Sequence, residues 1–262
     1  DILTPDAVEI RVLGEPMAPK LKDIVSYLPE ERGLYQKQKV VDVLAYLAEL
    51  KGIAPYEART RAFDWLDKIQ MPEVKTKRVN ELSKGMQQKI QFASVFISRP
   101  KVAIMDEPFS GLDPVNRRLL IDLLKDEAMR GTAVLLSTHQ MEQVEALCER
   151  VLLIDKGKRI LYGAVREIKE KYYDNSIRVA LRADGAMTEA EGLNALLGLP
   201  AVAVAKRAGG NHTYKVGLKD GVAPEQFVMS LMEVGLRLES FERALPSMDD
   251  VFVKAVEGDA RS

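Results

Sequence analysis

Residues 101–114 read KVAIMDEPFSGLDP. A four-residue apolar run, Val102 to Met105, lies between Pro100 and the acidic pair Asp106 and Glu107. A short run bounded in this way fits a parallel strand buried on both faces. Such a strand delivers both carboxylates to its C-terminal end, the edge at which open α/β sheets bind ligands. An aspartate there suits Mg²⁺, a hard cation that takes oxygen ligands. The adjoining glutamate can orient or deprotonate a water. An isolated Asp-Glu pair is more often a solvated turn, so the flanking sequence decides between the two.

Working outward, residues 83–97 carry a serine, Ser83, ahead of an amphipathic run, where its hydroxyl can accept a backbone N–H and cap a helix. Helical spacing recurs at Val40, Val43, Leu44, Leu47 and Leu50, with Gly52 as a stop, and again at Ala58, Ala62, Trp65, Leu66 and Ile69. Strands are predicted at 8–13, 24–28 and 133–137, the last a second buried strand, and helices at 116–128 and 140–149. Residues 151–155 and 159–162 flank a Lys156-Gly157-Lys158 turn and form a hairpin. The alternation of strands and helices predicts an α/β layer fold.

The texture changes after about Lys171, where Tyr172-Tyr173-Asp174-Asn175 makes a linker. Beyond it the order is strand 176–182, helix 189–197, strands 201–207 and 212–218 around Gly209-Gly210-Asn211, helix 224–234, strand 237–243 and helix 247–256. That βαββαβ order with a final helix predicts a small ferredoxin-like α+β domain. Residues 1–171 and 172–262 are therefore expected to be separate domains.

Composition bounds the function classes. The 262 residues carry 38 Lys+Arg against 39 Asp+Glu, net −1, which argues against a basic nucleic-acid binder. No apolar run approaches the length of a membrane span. The single cysteine, Cys148, excludes an intramolecular disulfide framework and a cysteine-based zinc site, and fits a small core residue of a helix.

Three further segments complete a pattern with residues 101–114. LSKGM at 82–86 precedes Asp106 by about twenty residues, SGLD occupies 110–113, and Ser137-Thr138-His139 ends the following strand. In this order and spacing the chain resembles the ATP-binding subunit of an ABC transporter, with LSKGM as the signature motif, VAIMDE as the Walker B strand, SGLD as the D-loop and His139 as the switch histidine. The resemblance implies a P-loop (RecA-like) ABC ATPase sheet with an inserted helical subdomain at about 37–80. It implies ATP and Mg²⁺ as cofactors, Asp106 as the metal ligand, and Glu107 and His139 as catalytic residues. Ser83, Lys84, Gly85, Met86 and Asp113 would face nucleotide, with the serine and the Gly85 N–H at a helix N-terminus that favours phosphate. Residues 172–262, ending PSMDDVF near the C-terminus, resemble the accessory domain of the drug- and sodium-export branch.

The chain departs from that family's pattern at several positions. Lys84 stands where a glycine is usual and Met86 where a glutamine is usual, and Glu30 occupies the place of the Q-loop glutamine, where it either meets the metal or is a solvated loop charge. No GxxxxGK[ST] stretch occurs in the 262 residues, so the phosphate-cradling loop and its lysine are missing. The expectation is that roughly 40–50 residues of the fold precede Asp1, judged from where such a loop sits. The resemblance implies a second ATPase subunit in a head-to-tail dimer, integral membrane permease subunits as partners, no nucleic acid, and a place on the cytoplasmic, inner face of the cell membrane. Competing expectations are a non-catalytic or truncated cassette and a soluble regulatory protein of the same family.

Overall fold

The computed structural model describes residues 9–31, 33–182 and 187–259. The chain divides into two compact units, residues 1–139 and 140–262. The first contains β1 (Arg11–Val12), β2 (Glu15–Pro16), β3 (Val25–Leu28), α1 (Val40–Glu49), α2 (Pro55–Lys68), α3 (Lys84–Phe96), β4 (Val102–Asp106), α4 (Pro114–Met129) and β5 (Ala133–Ser137). The strand predicted at 8–13 is shorter than expected, because Leu13 and Gly14 both take positive φ and turn the chain back on itself within two residues. The start of that predicted strand, residue 8, lies outside the described residues.

β3, β4 and β5 form a parallel sheet in that order, in register at Leu28, Met105 and Leu136, with Asp106 opposite Ser137. Ser26, Leu28, Ala103 and Met105 point to one face and are buried, with α3 packed along β3. The other face is more open: Tyr27 and Leu135 are exposed, and Val102 and Ile104 only half-buried. β4 and β5 are thus not buried on both faces as their apolar runs suggested. An apolar run specifies burial but not what supplies it.

Between β3 and β4 the chain makes a helical layer. Pro55 at the first turn of α2 costs no hydrogen bond there, and Gly52, at φ 80, ends the turn after α1. Trp65 on α2 stacks on Phe96 at 6.0 Å and meets Phe92 edge-on at 6.4 Å, locking α2 to α3. Trp65 is therefore core, whereas Tyr46 on α1 is exposed and packs edge-on to Tyr35 at 5.6 Å.

The second unit contains α5 (Met141–Leu147), β6 (Arg150–Asp155), β7 (Lys158–Ala164), α6 (Val165–Lys171), β8 (Ser176–Leu181), α7 (Glu189–Leu197), β9 (Val202–Arg207), β10 (Thr213–Leu218), α8 (Pro224–Glu233), β11 (Leu238–Arg243) and α9 (Met248–Asp259). β8 to β11 form an antiparallel sheet in the order β11-β8-β10-β9, the ferredoxin-like arrangement that the βαββαβ order predicts. Alternation places Ile177, Val179 and Leu181 of β8 in one core with Tyr214, Val216, Phe227 and Leu231. The Tyr214 hydroxyl is satisfied by donating to the Glu189 carbonyl at 2.9 Å.

The compact division falls after His139, not near Lys171, and α9 supplies the reason. Val251 and Met248 are buried against Val144 of α5 and Val165 and Ile168 of α6, rather than against the sheet of the tail. Ser247 caps the helix: its hydroxyl accepts from Asp250 N at 3.1 Å while Asp250 Oδ2 accepts from Ser247 N at 3.2 Å. Cys148 closes α5 in an extended conformation, half-buried beside the same cluster, and burial pushes its thiol pKa up.

Candidate functional site

β4 carries Asp106 at its last position and hands the chain to Glu107, which adopts φ 45. A non-glycine residue in the left-handed region is uncommon, and such conformations concentrate at functional sites. The turn is fixed by Glu107 N donating to Ser137 O at 2.9 Å and by Ser110 N donating to Glu107 O at 3.1 Å. Its effect is to swing the glutamate side chain across to the end of β5. There Glu107 Oε1 accepts from His139 N at 2.8 Å and lies 2.6 Å from His139 Nδ1, while Oε2 accepts from Thr138 Oγ1 at 3.3 Å.

The Glu107 side chain is 11% exposed and that of His139 is 82% exposed. An ionised carboxylate only accepts, so the contact places a proton on Nδ1 and leaves Nε2 as the free nitrogen of the ring. Asp106 is half-buried and forms no described hydrogen bond or ion pair, so its oxygens are available. Among the described residues no cluster of three or more ligating side chains could hold a metal by itself. A single free carboxylate at a strand end still fits Mg²⁺, which keeps several waters and uses one or two carboxylates together with phosphate oxygens.

Ser83, Lys84, Gly85 and Met86 form the start of α3. Ser83 is its N-cap, accepting from Met86 N at 3.3 Å. Ser83 and Lys84 are exposed, and Gly85 and Met86 half-buried. A Cβ built on Gly85 would meet Gly111 O at 3.6 Å and a Leu112 methyl at 3.7 Å, ordinary contacts. Packing within the chain therefore does not require a glycine here, whereas close approach of a ligand to the backbone would. Asp113, in the adjoining 110–113 segment, caps α4, accepting from Val115 N and Asn116 N at 3.0 Å each and from Asn116 Nδ2 at 2.5 Å. The Asn116 backbone bond, followed by its side-chain bond, holds the Asp113 carboxyl below the usual aspartate range.

α3 also ties the other parts together through residues that sequence reasoning passed over. Gln88 donates to Pro108 O at 2.8 Å, one residue beyond Glu107, and Gln91 donates to Pro29 O at 2.9 Å and Glu31 O at 3.4 Å. Glu30 is thus carried on a loop held from both sides, with its own side chain exposed. Lys89 donates to Asn116 Oδ1 at 3.0 Å, and its burial lowers its pKa. The available signal was three consecutive polar residues, Gln87, Gln88 and Lys89, and then Gln91, in a helix whose apolar positions were all needed for the core. Glu30, Asp106, Glu107 and His139 follow the C-terminal ends of the three parallel strands. Ser83–Met86 and Asp113 form a second group, and no described hydrogen bond joins Ser83–Met86 to Glu107 or His139.

Residues 2–110 match the family described as ABC transporter, and residues 163–256 match the ATP-binding protein DrrA1-3-like, C-terminal domain. The ABC transporter ATP-binding protein YhaQ of Bacillus subtilis is 37% identical over 243 residues, 93% of this chain and 78% of that protein. The daunorubicin resistance ATP-binding protein DrrA3 of Streptomyces coeruleorubidus is 28% identical over 265 residues, covering 99% and 82% of the two chains. A solved ATP-binding subunit of an ABC transporter superposes with a TM-score of 0.60 at 25% identity, over 65% of this chain and 72% of that one. Among the described residues no helix is long and apolar enough to cross a membrane, and ABC ATP-binding subunits work with permease partners that do. The chain belongs to the ATP-binding proteins of ABC transporters, a family of transport-coupled ATPases.

Proposed function

We propose that this chain powers export through membrane-spanning permease subunits on the inner face of the membrane, as one half of a head-to-tail homodimer, with the roles divided between its two residue groups. The observation that carries the reading is the Glu107 carboxylate, held at a strand end between His139 and Thr138 beside the free carboxylate of Asp106. Asp106 would hold Mg²⁺, which when bound neutralises charge on the phosphoryl oxygens. Glu107 orients and deprotonates the attacking water once one of its oxygens is released, and the Thr138 contact at 3.3 Å is the weaker of its bonds. His139, with its Nδ1–H committed to Glu107, bonds the terminal phosphate through Nε2 only as the imidazolium, in which both ring nitrogens donate.

Ser83 and the Gly85 N–H close on phosphate held by the partner subunit. The unforced glycine and the exposed N-cap serine support this role. Glu30 lies on a loop that Gln91 fixes to α3, so movement at the signature helix reaches the end of β3. The GxxxxGK[ST] stretch is not among the 262 residues. Export, rather than uptake, is favoured by likeness to the daunorubicin resistance protein and to the DrrA1-3-like C-terminal domain.

The test is Ser83→Arg in a polypeptide that joins a phosphate loop to this chain. Turnover should fall while nucleotide affinity of the monomer is kept, because the arginine blocks the helix end that meets the other subunit's nucleotide. Equal loss of monomer affinity and turnover would refute a site shared between subunits.

A further inference from the structure

Away from the strand ends, α2, the end of α3 and the end of α4 enclose a cleft of about 590 Å³. Arg61, Lys68, Arg99, Lys101 and Arg130 line it, against two carboxylates, Asp64 and Glu127. Glu127 is already neutralised, by an ion pair with Arg130 and by Lys68 Nζ at 3.5 Å. Arg61 is engaged with Glu57 at 2.5 Å and with Ile97 O at 3.0 Å. Arg99 and Lys101 have no partner among the described residues. We propose that this cleft is a second anion site, separate from the nucleotide residues, which takes a phosphate group through Arg99 and Lys101.

The loop that presents these two cations is fixed rather than floppy. Arg99 N donates to Phe96 O at 2.9 Å, Lys101 N to Ile24 O at 2.8 Å, and Ala133 N to Lys101 O at 2.9 Å, while Thr132 Oγ1 donates to the intervening Pro100 O at 3.0 Å. The pinned backbone fixes where the two side chains start, so binding orders the side chains but not the loop. Five cations against two carboxylates give the cleft an excess of positive charge, and a concave low-dielectric wall focuses that field. Arginine presents its donors in a fork that matches phosphate oxygens, and lysine adds a point charge. The pairs around Glu127 neutralise that carboxylate, and with Asp64 as the other acidic group the cleft keeps a net positive charge.

The floor of the cleft includes Trp65, the only tryptophan of the chain, with Lys68 Nζ 4.3 Å from its ring centroid. An anion that draws Lys68 away from the ring changes the tryptophan's surroundings, so its emission reports occupancy. The experiment titrates the 262-residue chain with sodium pyrophosphate at about 150 mM salt, beside a sodium chloride series of matched ionic strength. Parallel arms use phosphatidylglycerol vesicles and phosphatidylcholine vesicles.

The comparison variant is R99G/K101Q. Arg99 has φ 54, a conformation glycine adopts freely, so the charge is removed without strain. Unchanged circular dichroism and melting temperature verify the fold of the variant. A saturable change in emission with a midpoint at or below about 1 mM, weakened about tenfold or more in the variant, is the expected result. Response to pyrophosphate identifies a free phosphate compound as the ligand class, and response to phosphatidylglycerol vesicles alone identifies a lipid headgroup. No response in either arm, an equal response in the variant, or an equal response to sodium chloride would overturn the proposal.

Discussion

Ending the chain after Lys171 should loosen α5 and α6, although both lie before the cut. Removal of α9 takes Met248 and Val251, 2% and 0% exposed, away from Val144, Val165 and Ile168. Full burial of one such side chain is worth about 1.5–3 kcal/mol, so the two together contribute roughly 3–6 kcal/mol before the newly exposed partners are considered. The bond from Met248 N to Glu145 Oε1, at 2.5 Å, is lost as well, while Lys169 still holds the other oxygen of Glu145 at 2.6 Å. A loss of about 3 kcal/mol corresponds to roughly a hundredfold rise in local opening.

Hydrogen exchange of the amides of residues 141–147 and 165–171 measures that opening directly. The full chain and the chain ending at Lys171 are compared with Val251→Ala, which removes about two methyl groups and should cost ~2 kcal/mol once the cavity is included. Shortening should lower protection by about a hundredfold, and the point variant by about thirtyfold. Protection unchanged in both would mean that α9 does not support α5 and α6, and the division of the chain after His139 would lose its physical basis.

Two further outcomes follow from the site geometry. Gln91→Ala leaves the Pro29 and Glu31 carbonyls without their donor at a cost of about 1–3 kcal/mol, which thermal unfolding detects; in a polypeptide with a phosphate loop it should also slow turnover more than it weakens nucleotide affinity. Asp113 has its folded pKa held below the ordinary 3.8, so its cap contribution is complete above that value and disappears as pH falls through the lower folded value; an NMR titration of its carboxyl giving an ordinary or raised pKa would contradict the capping geometry.

Much of this molecule is legible in the sequence because local rules and global fold agree. Pro100 and Asp106 bound β4, Ser83 caps α3, and Lys156-Gly157 turns the β6–β7 hairpin with both residues at positive φ. The βαββαβ order leaves few sheet topologies, and the observed β11-β8-β10-β9 is one of them. The less legible features depend on contacts between distant segments. The period of Val251 and Met248 says that α9 buries a face, yet nothing local says that α5 and α6 receive it.

Side chains of the site divide in the same way. Asp106, Glu107 and His139 could be named from type and spacing, but the left-handed φ of Glu107 that joins it to His139 could not, since the residue itself disfavours that conformation. Gln88 and Gln91 serve as struts because two distant loops, around Pro108 and Pro29, end with unpaired carbonyls beside α3. Asp113 matched a motif in sequence, and within a single chain its carboxylate is occupied as a helix cap.

The most direct test of the central claim is Glu107→Gln in a polypeptide that joins a phosphate loop to this chain, with nucleotide binding and turnover measured on the same sample. The amide keeps the shape of the side chain and leaves Asp106 in place, but it removes the carboxylate that His139 and Thr138 hold toward the water. Turnover should fall about a hundredfold or more, the contribution of a positioned general base, while nucleotide is still bound and dimers accumulate. Full turnover in the variant would contradict the assignment of Glu107 as the residue that activates water.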